Sequence, residues 1–323
     1  PMQKVKSYLI RLDNLALMTG VLIALQARVN GELSNQLGNT VQAAFISFSS
    51  GLVIILVIAI FNSSIKMGIS RLFQAFKERK LHWWEFFGGA LGGNLIAIQT
   101  FIIPKIGVAV FSVGSIAGQT FTSLLVDKLG ISGGDKRGIT LRRTVAAIIT
   151  VSAVVISVAD RIKIQSVSLL IVALAVLAGS IIGFQRALNG KINAYSNQSF
   201  TTSLLNFITG TSILGIYLLV RTVLGIEGLS PLPLKPWWMY TGGVIGVIYI
   251  AFAATVVQHL GVLTFTLYSV GGQLLGSVVL DWLVPTNGIG ISFYLITGIA
   301  MTYLGVIAGG VSNSQARRRL MHK

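Results

Sequence analysis

Two eight-residue stretches of the sequence repeat one another: residues 26–33 read QARVNGEL, and residues 185–192 read QRALNGKI. Each stretch ends a long apolar run, and in each a glutamine is followed four residues later by an Asn-Gly pair. Residues four apart share one face of a helix, so the two amides of each copy should project together. A buried amide needs a hydrogen-bonding partner. The repeated phrase therefore indicates an internal duplication that keeps polar groups among apolar residues.

The correspondence between the two copies continues well beyond these stretches. The same offset of 159 residues aligns Ser47-Phe48 with Asn206-Phe207, and after one loop the offset becomes 154. So many polar, glycine and tryptophan matches in one register indicate two copies of one unit, at residues 1–161 and 162–323. The further matched pairs are Gly51 with Gly210, Trp83-Trp84 with Trp237-Trp238, Gly88-Gly89 with Gly242-Gly243, Gly92 with Gly246, Gly107 with Gly261, Phe111 with Phe265, Ser115 with Ser269, Gln119 with Gln273, Ser123 with Ser277 and Asp127 with Asp281.

The composition indicates a membrane protein. Of 323 residues, 53% are hydrophobic and 11% are charged, whereas a soluble domain carries roughly 25% charged residues. The absence of cysteine excludes disulfides, thiolate metal sites and a cysteine nucleophile. In a membrane protein the net charge of +16 indicates basic cytoplasmic loops and does not call for nucleic acid as a partner.

The apolar runs predict an all-α integral membrane protein with ten transmembrane helices. A helix needs about 20 residues to cross the bilayer, and lipid leaves its backbone no partner outside the helix. We also expect a surface amphipathic helix within residues 62–82, an extended loop at 222–236, and a tight turn at Pro104-Lys105. The predicted spans are 12–32, 40–61, 83–103, 106–127, 142–160, 167–187, 200–222, 237–258, 262–284 and 290–310.

The basic residues of the loops predict the orientation. Without Arg28 and Arg186, which lie in or at the edge of spans, one side of the membrane receives 18 Lys and Arg and the other receives 5. Basic loops stay in the cytoplasm, so both termini should be cytoplasmic, and we expect no cleavable signal peptide. Five spans per half is an odd number, so the halves should have inverted topology, as in many secondary transporters. A rigid channel or scaffold is the alternative.

The paired amides are the first candidates for a solute site. Gln26 and Asn30 in one half, and Gln185 and Asn189 in the other, should face each other across a central polar cavity. The alternative is that these amides join helices or cap a helix end. Gln119 and Gln273 lie at matched positions in mid-span among small residues, which leave room for a ligand or for close helix packing. Asn94 and Gln99 in span three complete the candidate amides.

Charged groups within the spans are candidates as well. Arg28 and Arg186 are costly in a bilayer and either contact substrate or extend to the interface. Asp127 and Asp281 are matched acids at span ends, where they suit a gate or a coupling role. The sequence contains no H-E-x-x-H, P-loop or G-x-S-x-G motif. We therefore predict neither an enzyme nor a metal site nor a cofactor.

Ten spans in two inverted halves resemble the drug/metabolite transporter superfamily. The phrases Gln26-x-x-x-Asn30-Gly31 and Gln185-x-x-x-Asn189-Gly190, each followed by Phe-x-x-Gly at Phe48 or Phe207, resemble its YdcZ-like branch. The resemblance implies a central cavity lined by spans one, three, four, six, eight and nine. It places spans five and ten at the periphery, where they could support a homodimer.

We therefore predict a secondary transporter for a small polar organic metabolite, working by alternating access in the cytoplasmic (inner) membrane of a prokaryote. Its partners would be a small-molecule substrate and the lipid bilayer. The spans are rich in amides and poor in acids, which favours neutral, zwitterionic or anionic solutes over bare cations. A passive channel or a membrane scaffold protein is the alternative function.

Overall fold

The structure, a computed structural model, is all-helical in the residues that it describes, which are 2–131, 139–157, 159, 169–226, 228–260, 262–285 and 291–308. Gly261, the boundary between the halves at 161–162, and the basic tail after residue 308 lie outside these residues. The helices are α1 (Met2–Leu37), α2 (Thr40–Phe61), α3 (Ser63–Lys77), α4 (Gly88–Leu129), α5 (Leu141–Ser157), α6 (Leu169–Ser196), α7 (Ser199–Val223), α8 (Gly242–Leu260), α9 (Val262–Leu283) and α10 (Phe293–Ala308). Short 3₁₀ turns, Trp83–Phe87 and Trp237–Thr241, precede α4 and α8.

Several of these helices are long and apolar enough to cross a membrane. Five such segments occur among the described residues: Thr40–Phe61, Trp83–Leu129, Leu169–Ser196, Ser199–Val223 and Trp237–His259. Two shorter apolar helices, Thr144–Ser157 and Phe293–Gly305, accompany them. The predicted all-helical membrane class is therefore confirmed, and the count of ten spans stays a prediction.

The helix α4 contains most of predicted span three and all of predicted span four. It continues through Pro104, where we expected the turn, and breaks at Gly107, whose φ of 79° and ψ of 168° are not helical. Glycine tolerates a positive φ because it has no Cβ, whereas proline can remain in a helix at the cost of one hydrogen bond. The turn is therefore set by the glycine, three residues later than predicted.

The amphipathic helix predicted within residues 62–82 is present as α3. Asn62 caps it by accepting a hydrogen bond from the backbone N–H of Ser64 at 3.0 Å. Ile65, Gly68, Leu72 and Ala75 follow helical spacing and are buried. The basic residues of α3 lie on the exposed side of the helix, as is typical of a helix at a membrane surface.

Matched helices of the two halves pack against each other and run antiparallel. In α2 and α7 the Phe48 and Phe207 rings are 5.2 Å apart. A Cβ on Gly51 would overlap the Phe207 ring, and a Cβ on Gly210 would overlap the Phe48 ring. As residue numbers rise along one helix, they fall along the other.

The fifth helices of the two halves pair in the same way. Gly298 on α10 lies against Ser157 at the end of α5, and Gly305 lies against Ile149, further back along α5. The two helices are therefore antiparallel and pack closely through glycines, since a residue without a side chain lets helix backbones approach.

The first helix of each half packs on the fourth span of the other half. Gly20 on α1 lies against the Ser269 carbonyl of α9, and the matched Gly179 on α6 lies against the Ser115 carbonyl of α4. The contacts of Gly51 and Gly210 with the phenylalanine rings, and those of Gly20 and Gly179 with the serine carbonyls, thus each occur twice, with the roles of the halves exchanged.

Candidate functional site

Two matched stripes of small polar residues lie at the centre of the molecule. One stripe is on the second segment of α4 and the other is on α9, and each follows spacings of three, four and four residues, so each occupies one helix face. All eight side chains are almost completely buried. The stripes are Ser112, Ser115, Gln119 and Ser123 on α4, and Thr266, Ser269, Gln273 and Ser277 on α9.

Hydrogen bonds join the two stripes directly. The Nε2 of Gln119 donates to the Oε1 of Gln273 at 3.4 Å, and the Nε2 of Gln273 donates to the Oγ of Ser115 at 3.0 Å. The hydroxyls of Ser123 and Thr266 are 3.2 Å apart. Early residues of one stripe thus meet late residues of the other, so these two helices are antiparallel as well. The structure brings Gln119 and Gln273 together at the contact between the halves.

Arg186 extends from α6 into the stripes. Its Nη1 donates to the Oε1 of Gln119 at 2.7 Å and to the Oγ1 of Thr266 at 3.0 Å. The guanidinium carbon lies 4.6 Å from the centroid of the Phe265 ring, in the range of a cation–π contact. The side chain is buried, and its Nε and Nη2 have no hydrogen-bonding partner among the described residues.

The amides of the first phrase join α1 to its neighbours. The Nε2 of Gln26 donates to the carbonyl of Gly242 at 3.1 Å, and the Nδ2 of Asn30 donates to the Oε1 of Gln99 at 3.4 Å. The Oδ1 of Asn30 is buried and has no partner among the described residues. Gln99 therefore belongs to this amide cluster, although no polar residue matches it in the other half.

The amides of the second phrase share Asn206 on α7. The Oδ1 of Asn206 accepts from Gln185 Nε2 at 3.1 Å and from Asn189 Nδ2 at 3.3 Å, and its Nδ2 donates to Asn189 Oδ1 at 2.7 Å. This reciprocal pair of bonds is the inter-helix joint that we weighed against cavity lining. The Oε1 of Gln185 nevertheless remains unpartnered among the described residues.

The Phe48–Phe207 pair lies next to both amide clusters. A Cβ on Gly246 would lie 2.6 Å from the Nε2 of Gln26 and 3.0 Å from the Phe207 ring. On the other side, the matched Gly92 lies against Gln185 Nε2 and Phe48. The two amide pairs bond to separate partners, and their meeting across a cavity stays a prediction.

Arg28 and Asn94 lie apart from the stripes. The Nη1 of Arg28 donates to Glu32 at 2.9 Å, its Nε donates to the carbonyl of Val284 at 3.0 Å, and its guanidinium lies 5.3 Å from the Trp238 ring. Asn94 accepts from the Tyr217 hydroxyl at 3.1 Å on the α7 side of α4. The structure therefore gives Arg28 and Arg186 different surroundings, although each arginine belongs to one copy of the repeated stretch.

Asp281 lies against the break in α4. Its Oδ1 accepts from the backbone N–H of Val108 at 3.2 Å, and its Oδ2 accepts from that of Ala109 at 2.8 Å. Both N–H groups belong to the first turn after Gly107, where a helix has no backbone acceptors of its own. Asp281 from one half thus caps a helix segment of the other. The matched Asp127 is buried as well.

Sequence reasoning missed Thr266 and Asn206 as parts of the site. Thr266 lies on one helix face with Ser269, Gln273 and Ser277, which the repeat had already aligned. Its position seven residues before Gln273, two helical turns away, indicated that it shares that face. Asn206 matched Ser47 within the repeat, but nothing in the sequence showed that its amide would meet Asn189.

The two halves also correspond to a known family. The model of the family described as "Putative inner membrane exporter, YdcZ" matches residues 14–156 and 170–308. The chain belongs to the YdcZ family. The resemblance found from the repeated phrases is thereby confirmed, and the two matched stretches fall one in each half. Together with the apolar helices, family membership makes the chain a multi-pass inner membrane protein of a transport family. No protein in the curated set matches the sequence.

Proposed function

We propose that this YdcZ-family protein is a secondary transporter that moves a small polar organic metabolite across the inner membrane by alternating access. The two halves insert in opposite orientations, with both termini in the cytoplasm. The polar stripes and Arg186 contact the solute, and the amide clusters around Gln26 and Gln185 lie along its route.

The antiparallel packing of matched helices supports the inverted arrangement. Two similar halves of opposite orientation can exchange conformations, and such an exchange converts a cavity open to one side into a cavity open to the other. The paired glycine contacts suit this exchange, because backbones in direct contact can slide without rearranging large side chains.

The polar stripes carry the proposal. Eight buried polar side chains and one arginine lie at the contact between the halves in a chain whose composition is otherwise apolar. Polar and ionisable groups within a membrane are costly, and they mark substrate or ion pathways. Polar side chains can also join the helices of a scaffold, but that role does not require a buried arginine without a counter-charge among the described residues.

The test uses the purified protein in two steps. A screen of thermal unfolding against a metabolite panel identifies ligands, since a ligand that binds the folded state raises the unfolding temperature. Each ligand is then tested in proteoliposomes as a radiolabelled solute. We expect saturable flux that is accelerated by unlabelled ligand on the opposite side of the membrane.

A matched pair of variants makes this test specific. Gln273→Ala should reduce the flux, whereas Gln36→Ala, at an exposed glutamine of α1, should not. Flux that rises linearly with concentration and shows no acceleration by ligand on the opposite side would indicate a channel and contradict the proposal.

A further inference from the structure

We infer that Arg186 binds a carboxylate group of the transported solute, so that the substrates are small organic carboxylates. This inference rests on the proposed transport function and adds the chemical class of the solute. It also assigns the point at which the solute is held: the free edge of the Arg186 guanidinium, beside the stripes of α4 and α9.

Arg186 breaks the repeat at the centre of the molecule. The matched position in the first half is Ala27, which is buried. The polar stripes are present in both halves, but this central cation is present in only one. A cation on one side of an otherwise matched polar core gives a solute with one charged end a preferred orientation.

The guanidinium has one corner, Nη1, that is hydrogen-bonded to Gln119 and Thr266, and one free edge, formed by Nε and Nη2, that has no hydrogen-bonding partner among the described residues. The Nε–H and one Nη2–H point in the same direction from the planar group. Two parallel N–H donors fit the two oxygens of one carboxylate, which is the bidentate pairing that arginine makes and lysine cannot.

The other cations near the repeated phrases already have acidic partners. Arg28 forms an ion pair with Glu32, and Lys191 forms one with Glu85. No carboxylate among the described residues forms an ion pair with Arg186. The phenol of Tyr249 is a close polar neighbour of the guanidinium and interacts favourably with its charge. No acceptor among the described residues, this phenol included, lies in hydrogen-bonding geometry with Nε or Nη2. A buried charge without a counter-charge is strongly unfavourable, so an incoming anion would supply what the protein lacks.

The neighbours of Arg186 fix its orientation. Gln119 and Thr266 hold one corner, and the Phe265 ring lies 4.6 Å from the guanidinium carbon. The Nε2 of Gln119 and the Nε2 of Gln273 both point at the Ser115 hydroxyl, at 3.3 Å and 3.0 Å. These groups bond to one another, and they can exchange those bonds for bonds to the uncharged polar part of a bound solute. The surrounding apolar helices strengthen the attraction between the solute carboxylate and Arg186.

The inference is tested with inorganic phosphate and with matched acids and amides as probes: lactate and lactamide, succinate and succinamide, and benzoate and benzamide. Thermal unfolding of the purified protein is measured with each compound. We expect at least one carboxylate to raise the unfolding temperature by about 2 °C or more, and its amide to have no effect. Stabilisation by acid and amide alike, by inorganic phosphate only, or by none of the compounds would overturn the inference.

Four variants then locate the effect. Arg186→Gln should abolish stabilisation by the active carboxylate, and Arg186→Lys should raise the half-maximal concentration about tenfold or more, because lysine lacks the two-donor edge. Gln119→Glu places a carboxylate within reach of Nη1. It should raise the unfolding temperature of the ligand-free protein and compete with the added carboxylate. Arg71→Gln, at an arginine on α3 bonded to the Ser196 carbonyl, is the control and should respond as the parent protein does.

Flux measurements separate this inference from the transport proposal. If a carboxylate binds through Arg186 but does not cross the membrane of proteoliposomes, the transport proposal fails and the carboxylate site stands. If the protein transports a neutral solute, and Arg186→Gln binds the carboxylates as well as the parent does, the inference fails and the transport proposal stands.

Discussion

Gln119 and Gln273 occupy matched positions in the two halves, and one hydrogen bond joins them: the Nε2 of Gln119 donates to the Oε1 of Gln273 at 3.4 Å. Their surroundings differ in one respect. The Oε1 of Gln119 accepts from the guanidinium of Arg186 at 2.7 Å, whereas the Oε1 of Gln273 accepts from the neutral amide of Gln119. A nearly symmetric polar core therefore has one charged side.

This difference predicts unequal effects of two matched substitutions. Gln119→Ala removes one of the two hydrogen-bond acceptors of Arg186 Nη1 and leaves Thr266 as the other, whereas Gln273→Ala removes only neutral hydrogen bonds. Loss of a partner for a buried polar group costs about 1–3 kcal/mol, and more for a charged group. We expect the unfolding temperature to fall further for Gln119→Ala than for Gln273→Ala. Equal decreases would show that Arg186 does not depend on Gln119.

Much of the fold could be predicted because periodicity and repetition are properties of the sequence itself. The apolar runs and the amphipathic α3 both follow from spacing. The partner of a side chain on a neighbouring helix does not, since a sequence gives the position along a helix and not the helix that it faces. Asn94 and Gln99 looked alike, yet one bonds to Tyr217 and the other to Asn30.

One distinction was visible in the sequence but was overlooked. Four residues after Arg28 stands Glu32, the spacing of an ion pair on a helix, whereas four residues after Arg186 stands Gly190. The first arginine thus has an acidic partner on its own helix and the second does not. The turn in α4 was predicted at Pro104 but lies at Gly107. A proline can remain inside a helix, whereas the positive φ at this break favours glycine.

Two matched glycines should be intolerant of alanine. A Cβ on Gly20 would overlap the Ser269 carbonyl, and a Cβ on Gly179 would overlap the Ser115 carbonyl. Alanine favours a helix over glycine by about 1 kcal/mol, but overpacking costs about 1–3 kcal/mol, and a backbone atom cannot turn aside as a side chain can. We expect both variants to lower the unfolding temperature. Gly228→Ala, where the added carbon meets open space, is the control, and an unfolding temperature equal to the control would refute the close approach.

Asp281 should act first as a helix cap. Asp281→Ala removes both acceptors of the Val108 and Ala109 N–H groups, and loss of a cap costs about 0.5–2 kcal/mol. Asp281→Asn keeps one acceptor oxygen and should lower the unfolding temperature less. If the carboxylate only caps the helix, the asparagine variant should keep the pH profile of transport of the parent protein. A variant that folds normally but loses its pH dependence would instead identify Asp281 as a coupling residue.

The orientation of the chain can be tested with thiols, because the sequence contains no cysteine and each introduced one is unique. Lys77→Cys lies at the exposed end of α3, and Lys235→Cys lies in the exposed loop before α8. The excess of basic residues on the α3 side predicts that this side is cytoplasmic. In intact cells a membrane-impermeant maleimide should label Lys235→Cys and spare Lys77→Cys until the membrane is permeabilised. Labelling of both positions in intact cells would contradict a single orientation, and the reverse pattern would place both termini outside.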